Sequence, residues 1–351
     1  MTQVAVDRQA VRVGPALAGR VVRQAAPLLG TLAALAVGAV LLALAGVDPV
    51  RAYGIMLKGA FGGWRQIQET VLKAVPLVLV GLGLSVALRC RMWNIGGEGQ
   101  YFMGALFGGV VALTFPTWPA WALIPTMIIA GVLGGAFWAA IPAWLKIRRG
   151  MNEIISTLML NYIAVLFMEY VARGPLQEPG GYLPESAQFV AAARMPVIYG
   201  RLHLGVLLAL LLAPFCYLLI WRTPLGFRLR AVGSQPKVAR AAGIDPARSI
   251  AFALIFSGAL AGLAGIIEVS YLHTRLKGAI SGGYGYSGVL VALLSRMHPL
   301  GVLVVGVFFA ALTIGAEAMH VLAQVPAALA DAIQALVVLF VLAADALARR
   351  E

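Results

Sequence analysis

The strongest constraint on this chain is a succession of apolar runs, many close to twenty residues long, whose charged residues fall between the runs. Pro27 to Val47 is the first and holds no charge. A bilayer core is about 30 Å thick and takes roughly 20 apolar residues of helix per crossing. Lipid offers no partner to an open backbone group, so such runs cross as helices. The alternative, a soluble core, fails on supply: apolar residues are 61% of the chain and charged ones 12%, against about 45–50% and 25% in soluble domains. The expected fold is all-α, a polytopic transmembrane bundle of about ten spans. They lie near 27–47, 70–88, 99–115, 120–145, 153–172, 203–221, 249–270, 284–296, 300–319 and 326–347. The third and eighth are short and Gly-rich, and either suits a broken or re-entrant helix, which is tolerated where backbone is buried in protein.

The formal charge of +13 does not point to nucleic acid, because the basic residues punctuate the apolar runs, as topology signals do. With the N-terminus inside, cytoplasmic segments hold 18 Lys and Arg and external ones 9. This two-to-one bias places both termini in the cytoplasm. The expected organisation is a cytoplasmic tail over 1–26, a membrane domain over 27–347 and a short tail over 348–351. The basic stretch before Pro27 leads into a run too long for a signal peptide. Two loops stand out. An external one, 173–201, carries Pro175, Pro179, Gly180, Gly181, Pro184 and Pro196; a cytoplasmic one, 222–248, carries six basic residues and a single acid, Asp245. Gly104 with Gly108, Gly131 with Gly135, and Gly258 with Gly262 have the small-xxx-small spacing that lets helices approach closely in lipid.

No G-x-x-x-x-G-K-[ST] loop is present, so this chain does not itself hydrolyse ATP through one, and H-E-x-x-H, G-x-S-x-G and C-x-x-C are also missing. Four histidines fall near expected interfaces, and Cys90 and Cys216 in or beside apolar runs, so no metal site is expected. Three polar segments remain. Asn94-Ile-Gly-Gly-Glu-Gly-Gln100 opens the third run; Asn94 and Glu98 suit a helix start, or they line a polar pathway. Its glycines permit unusual backbone angles. Asn152, Glu153, Ser156, Thr157 and Asn161 place five polar groups in ten residues of a span. Such groups are costly at membrane depth unless they pair or face water; Asn161, two turns in, is either a pathway residue or an interhelical hydrogen bond. In the loop, Ser234 suits an N-cap, Pro236 the first turn and Gly243 a stop. They bracket a short basic helix with Val238, Ala241 and Ala242 on its apolar side.

Together these segments resemble the permease subunits of bacterial ABC importers, in the family of branched-chain amino acid, ribose and nucleoside permeases. Asn94 to Gln100 and Asn152 to Ile163 most resemble the nucleoside branch, and Arg230 to Ile244 its ATPase-coupling loop, with Ser234 where an acidic or polar residue is usual. The resemblance implies a multi-pass subunit of the bacterial inner membrane that imports a nucleoside by alternating access. It implies a second permease as heterodimer partner, ATPase subunits that bind ATP and Mg, and an external substrate-binding protein. No cofactor is expected on this chain. Asn94, Glu98, Gln100 and Asn161 would line or support the pathway. Arg228, Arg230, Gly233, Pro236, Lys237, Arg240 and Gly243 would couple to the ATPase. A simple sugar or a branched-chain amino acid is the alternative cargo. The rival of another class is an ion-coupled carrier, which would place acids near the midplane; Glu169, Glu268, Glu317 and Asp331 instead fall near expected external helix ends.

Overall fold

The computed structural model describes residues 14–347. The expected tails lie outside them over residues 1–13 and 348–351; from Gly14 the chain is already helical. In chain order the described helices are α1 (Gly14–Leu44), α2 (Pro49–Phe61), α3 (Trp64–Arg89), α4 (Gly97–Thr114) and α5 (Ala120–Arg149). Then follow α6 (Glu153–Arg173), α7 (Leu204–Arg222), α8 (Pro224–Ser234), α9 (Pro236–Ala241) and α10 (Pro246–Glu268), which runs on as a π-helical turn to His273. The last three are α11 (Tyr284–Leu294), α12 (Pro299–Ala323) and α13 (Ala327–Leu347). A two-stranded hairpin, β1 (Val197–Tyr199) and β2 (Leu202–His203), sits in the loop between α6 and α7.

Among the described residues each of the ten apolar runs forms a helix, but not all of those helices are long and apolar enough to cross a membrane by themselves. Seven are long and apolar enough, and eight if α1 and α2, bent by 120°, are one broken span. At 1.5 Å per residue α11 reaches only about 16 Å. Helix α4 has 18 residues, but its first turn carries Glu98 and Gln100. Helix α2 replaces what reads in the sequence as external loop; Gly54, Arg51 and Lys58 dilute its apolar period, while Asp48 accepts the Val50 N–H at 2.8 Å and starts it.

The chain forms two compact units. Among the described residues, one comprises 14–56 and 315–347. Here α1 packs on α13, and a Cβ at Gly30 would lie 2.7 Å from the Phe340 carbonyl oxygen. Leu42, Ala52, Met319, Val325 and Ile333 form its core.

The other unit, Leu57–Ile314, is built around α3, which is buried almost continuously from Ala74 to Leu88. Helices α4, α5 and α10 cross at backbone contact. A Cβ at Gly104 would stand 2.2 Å from the Gly262 Cα, and one at Gly135 2.2 Å from the Gly258 carbonyl oxygen. The three spaced glycine pairs of the sequence therefore meet one another. Without a hydrophobic drive between helices in lipid, such close packing supplies the association energy.

The loop between α6 and α7 is ordered by backbone pairing. Ser186, Phe189 and Met195 donate to the carbonyls of Leu276, Thr274 and Ser270 at 2.9, 2.8 and 3.2 Å. Buried His203 caps α7 by accepting the Gly205 N–H at 3.0 Å and stacks on Tyr271 at 4.3 Å between centroids. Burial pushes its pKa from 6.5 down to about 4. The unfolded chain then binds a proton that the folded one refuses, so stability is complete above pH 6.5 and falls as pH drops towards 4. The full loss is about 3 kcal/mol. Melting of detergent-solubilised protein across pH 7.5 to 4 should show this decline, and His203→Gln should flatten it.

Candidate functional site

The segment between α3 and α4 is where the structure departs from regular helix. Arg91 is left-handed (φ 54°), and residues 92–96 are extended or turn. Cβ atoms at Gly97 and Gly288 would lie 3.3 and 2.4 Å from Val80 Cγ1. Val80 is nine residues before Arg89, about 13 Å along α3. Helix α4 thus starts well inside the bundle, at the level of the first turns of α11. The glycines here serve close approach rather than unusual angles. Gly96 has φ −75°; a Cβ at Gly99 would meet the Asn161 Cα at 3.0 Å, and one at Gly285 the Glu98 nitrogen at 2.0 Å.

Asn94, Glu98, Gln100 and Asn161 converge on this point and all are buried. Asn94 and Gln100 form a reciprocal amide pair, each Nδ2 or Nε2 donating to the other's oxygen at 2.8 Å, and Asn94 also donates to Ser257 Oγ at 3.0 Å. Asn161 accepts the Gly99 N–H at 2.8 Å and donates to the Ile95 carbonyl at 2.9 Å and to the Tyr286 hydroxyl at 3.3 Å. Glu98 accepts the Gly285 N–H at 2.7 Å. It therefore ties the start of α4 to the start of α11, where both helix dipoles favour a carboxylate. The residue at the N-cap of α4 is Gly96, so Asn94 is not a cap.

The other polar residues of the second segment stay local. Asn152 caps α6 through the Ile154 N–H at 2.8 Å, Glu153 pairs with Lys146 at 2.7 Å, and Thr157 bonds back to the Glu153 carbonyl at 2.6 Å.

Beside this cluster lies a second one not apparent in the sequence. Glu268, read there as lying near an external helix end, is 6% exposed and accepts from the Tyr284 hydroxyl at 3.2 Å. Lys73 Nζ stands 5.7 Å from the Tyr284 ring centroid. Tyr101 donates to the Ile280 carbonyl at 3.2 Å, and His273 Nε2 lies 3.1 Å from the same oxygen. The acid was detectable only as one more Glu in an apolar run; its partners come from sixteen and more residues away in the chain. Among the described residues no group of three His, Cys, Asp or Glu could hold a metal ion.

The loop 222–248 holds two helices rather than one. Thr223 Oγ1 caps α8 by accepting the Gly226 N–H at 3.1 Å, with Pro224 in the first turn. Helix α9 starts at Pro236 after Gln235; Ser234, expected as its N-cap, ends α8 instead. Pro246 follows the Asp245 cap of α10. Each Pro sits where its missing N–H has no helical partner to lose. Gly243 (φ 79°) ends the α9 turn. Arg228, Pro236, Lys237, Arg240 and Gly243 are exposed, whereas Gly233 is buried and Arg230 turned inward. Val238 faces outward and Ala239 is the buried residue of α9, the reverse of the expected apolar side. Phe227, Ala231, Val238 and Ala242 line an open groove of about 440 Å³ between the two helices.

Residues 66–342 match the family described as branched-chain amino acid transport system / permease component. The chain is 40% identical to the glucose ABC transporter permease protein TsgB13 of Haloferax volcanii, over 91% of this chain and 87% of that one. It is 34% identical to the guanosine ABC transporter permease protein NupP of Bacillus subtilis, over 90% and 92%. It is 30% identical to the nucleoside ABC transporter permease protein NupB of Lactococcus lactis, over 84% of each. No solved structure matches.

Proposed function

This chain belongs to the branched-chain amino acid transport system permease family, as a multi-pass ABC transporter permease subunit rather than an enzyme, and we propose that its cargo is a nucleoside. The observation that carries the proposal is the buried Asn94–Gln100–Asn161 amide cluster at the irregular start of α4. A nucleoside offers hydroxyls and ring nitrogens without net charge, which amides match as both donors and acceptors. Two of the three relatives above are named for nucleosides. The third is named for glucose and favours a second reading, a simple sugar; sugar hydroxyls are served by the same amides. Asn94, Glu98, Gln100 and Asn161 would line or support the pathway between ten membrane segments, α4 and α11 being the partial ones, with both chain ends cytoplasmic. A second permease would complete the translocation unit, and an external binding protein would deliver the cargo. Partner ATPases carrying ATP and Mg would dock on the exposed α8–α9 surface, with Arg228, Lys237 and Arg240 offering positive charge, Phe227 and Val238 an apolar groove, and Pro236 and Gly243 setting the ends of α9.

Uptake of labelled guanosine, glucose and leucine by cells carrying the whole transporter tests the cargo. Guanosine uptake, competed by other nucleosides and untouched by excess glucose, is expected; glucose uptake without guanosine uptake would establish the second reading. Uptake that persists without the ATPase and collapses with an ionophore would replace the ABC reading by an ion-coupled carrier. Arg240→Glu and Ala241→Pro, both at exposed positions, should lower uptake and ATPase stimulation at least tenfold while leaving membrane insertion intact. Normal uptake by both would remove the docking assignment.

A further inference from the structure

Trp221, at the end of α7, is flanked by two guanidinium groups: Arg89 lies 5.0 Å and Arg230 4.7 Å from its ring centroid. Arg230 belongs to α8 and also donates to the Ile220 carbonyl. Arg89 ends α3 and donates to the Met297 carbonyl at 3.0 Å. Met297 and its neighbour Arg296 are both left-handed (φ 57° and 54°), which holds the α11–α12 turn in a sparsely populated conformation. Among the described residues neither Arg89 nor Arg230 pairs with a carboxylate, and the Arg89 Nε is buried without a hydrogen-bond partner. The end of α8 rests directly on the end of α3: a Cβ at Gly233 would stand 2.0 Å from the Arg89 carbonyl oxygen.

We propose that Trp221, gripped between Arg89 and Arg230, is the positioning residue through which α8 and the irregular segment 90–96 move together. This rests on the reading of 222–248 as the ATPase-coupling loop. The face of an indole attracts cations most strongly of the aromatic rings, so one ring holds two like charges that would otherwise repel. A displacement of α8 carries Arg230, and with it Trp221 and Arg89. Arg89 is five residues before Asn94, and no regular helix lies between them to absorb the shift. The same guanidinium reaches the turn that ends α11, whose first turn receives Glu98. The joint thus reaches the turn that follows α11 and the segment that leads into α4, the two helices whose N-terminal ends meet at the amide cluster, and it does so from the ATPase side.

The test is the ratio of substrate imported to ATP hydrolysed by the complete transporter in proteoliposomes. Trp221→Ala should lower the ratio at least fivefold while ATP hydrolysis stays within twofold of wild type, because the exposed docking residues are untouched. Trp221→Phe, which keeps a π-face, should recover at least half of the ratio. Trp221→Leu, which keeps bulk without a π-face, should behave like alanine and serves if the alanine protein is too unstable to reconstitute. A full ratio in the leucine variant, or a parallel fall of transport and hydrolysis in both non-aromatic variants, would overturn the proposal. Arg240→Glu run alongside separates the two levels. If it stops stimulated hydrolysis while the Trp221 variants couple normally, only the joint is wrong; if it too is silent, the coupling-loop reading fails with it.

Discussion

Gly262→Val should leave no monodisperse, folded protein in detergent. A Cβ at this position would lie 2.3 Å from the Gly131 carbonyl oxygen and 2.9 Å from the Gly135 Cα, and a Cβ at Gly104 would lie 2.2 Å from the Gly262 Cα. These are backbone atoms, which no rotamer change can move aside. Valine adds three carbons where there is no room for one, so α10 must withdraw from α4 and α5 along the whole crossing. Overpacking of one side chain in a core costs about 1–3 kcal/mol. Here the added carbons meet rigid backbone rather than side chains that can repack, so the cost lies at or above the top of that range, a substantial part of the roughly 5–15 kcal/mol that holds a folded protein together. Gly54→Ala is the control: nothing lies within 4 Å of its Cβ position, and alanine is the better helix former by about 1 kcal/mol. Size-exclusion profiles and melting temperatures of the two variants decide the matter. A sharp peak with wild-type melting for Gly262→Val would mean that the three helices do not cross at glycine.

The crossing also shows what the sequence carries and where it stops. Glycine spacing announced close packing, but spacing alone could not say that Gly262 faces Gly104 and Gly135, since partners more than a hundred residues apart leave no local signal. Apolar runs located ten helices, because burial in lipid imposes a length. Seven of those helices, or eight with α1 and α2 as one bent span, are long and apolar enough to cross by themselves, while α4 and α11 are short and bury polar groups at their starts against protein. Helices α2 and α8 were hidden by their charges, although Asp48 and Thr223-Pro224 mark their starts. Asn161 could be singled out from its depth in α6, while its neighbours Asn152, Glu153 and Thr157 prove to be local caps and pairs. Glu98 resembled a first-turn acid, and it is one; its second role, at the start of α11, depends on Gly285, 187 residues later. Glu268 read only as an acid near a helix end, because the fold alone brings Tyr284 and Lys73 to it.

Asn94→Leu should abolish transport and lower the melting temperature by on the order of 10 °C. Leucine is close to asparagine in size, so the loss is one of hydrogen bonds. The Oε1 and Nε2 of Gln100 both find their partner in Asn94, and Ser257 Oγ accepts from it as well. Each buried polar group left unsatisfied costs about 1–3 kcal/mol. Removing both amides is a different experiment. In Asn94→Leu/Gln100→Leu no buried amide is left unpaired, and replacing both partners by apolar groups of similar shape is nearly neutral. The double variant should therefore melt close to wild type, within about 1.5 kcal/mol, and still fail to transport, because the polar surface at the start of α4 is gone. Stability and transport separate only if the amides serve the cargo's path. A stable double variant with normal nucleoside uptake would reduce the pair to packing and leave Asn161 and Glu98 as the polar groups of the pathway. An unstable one would show that the pair fixes the irregular backbone over 94–96, and uptake would then have to be read from Asn161→Leu.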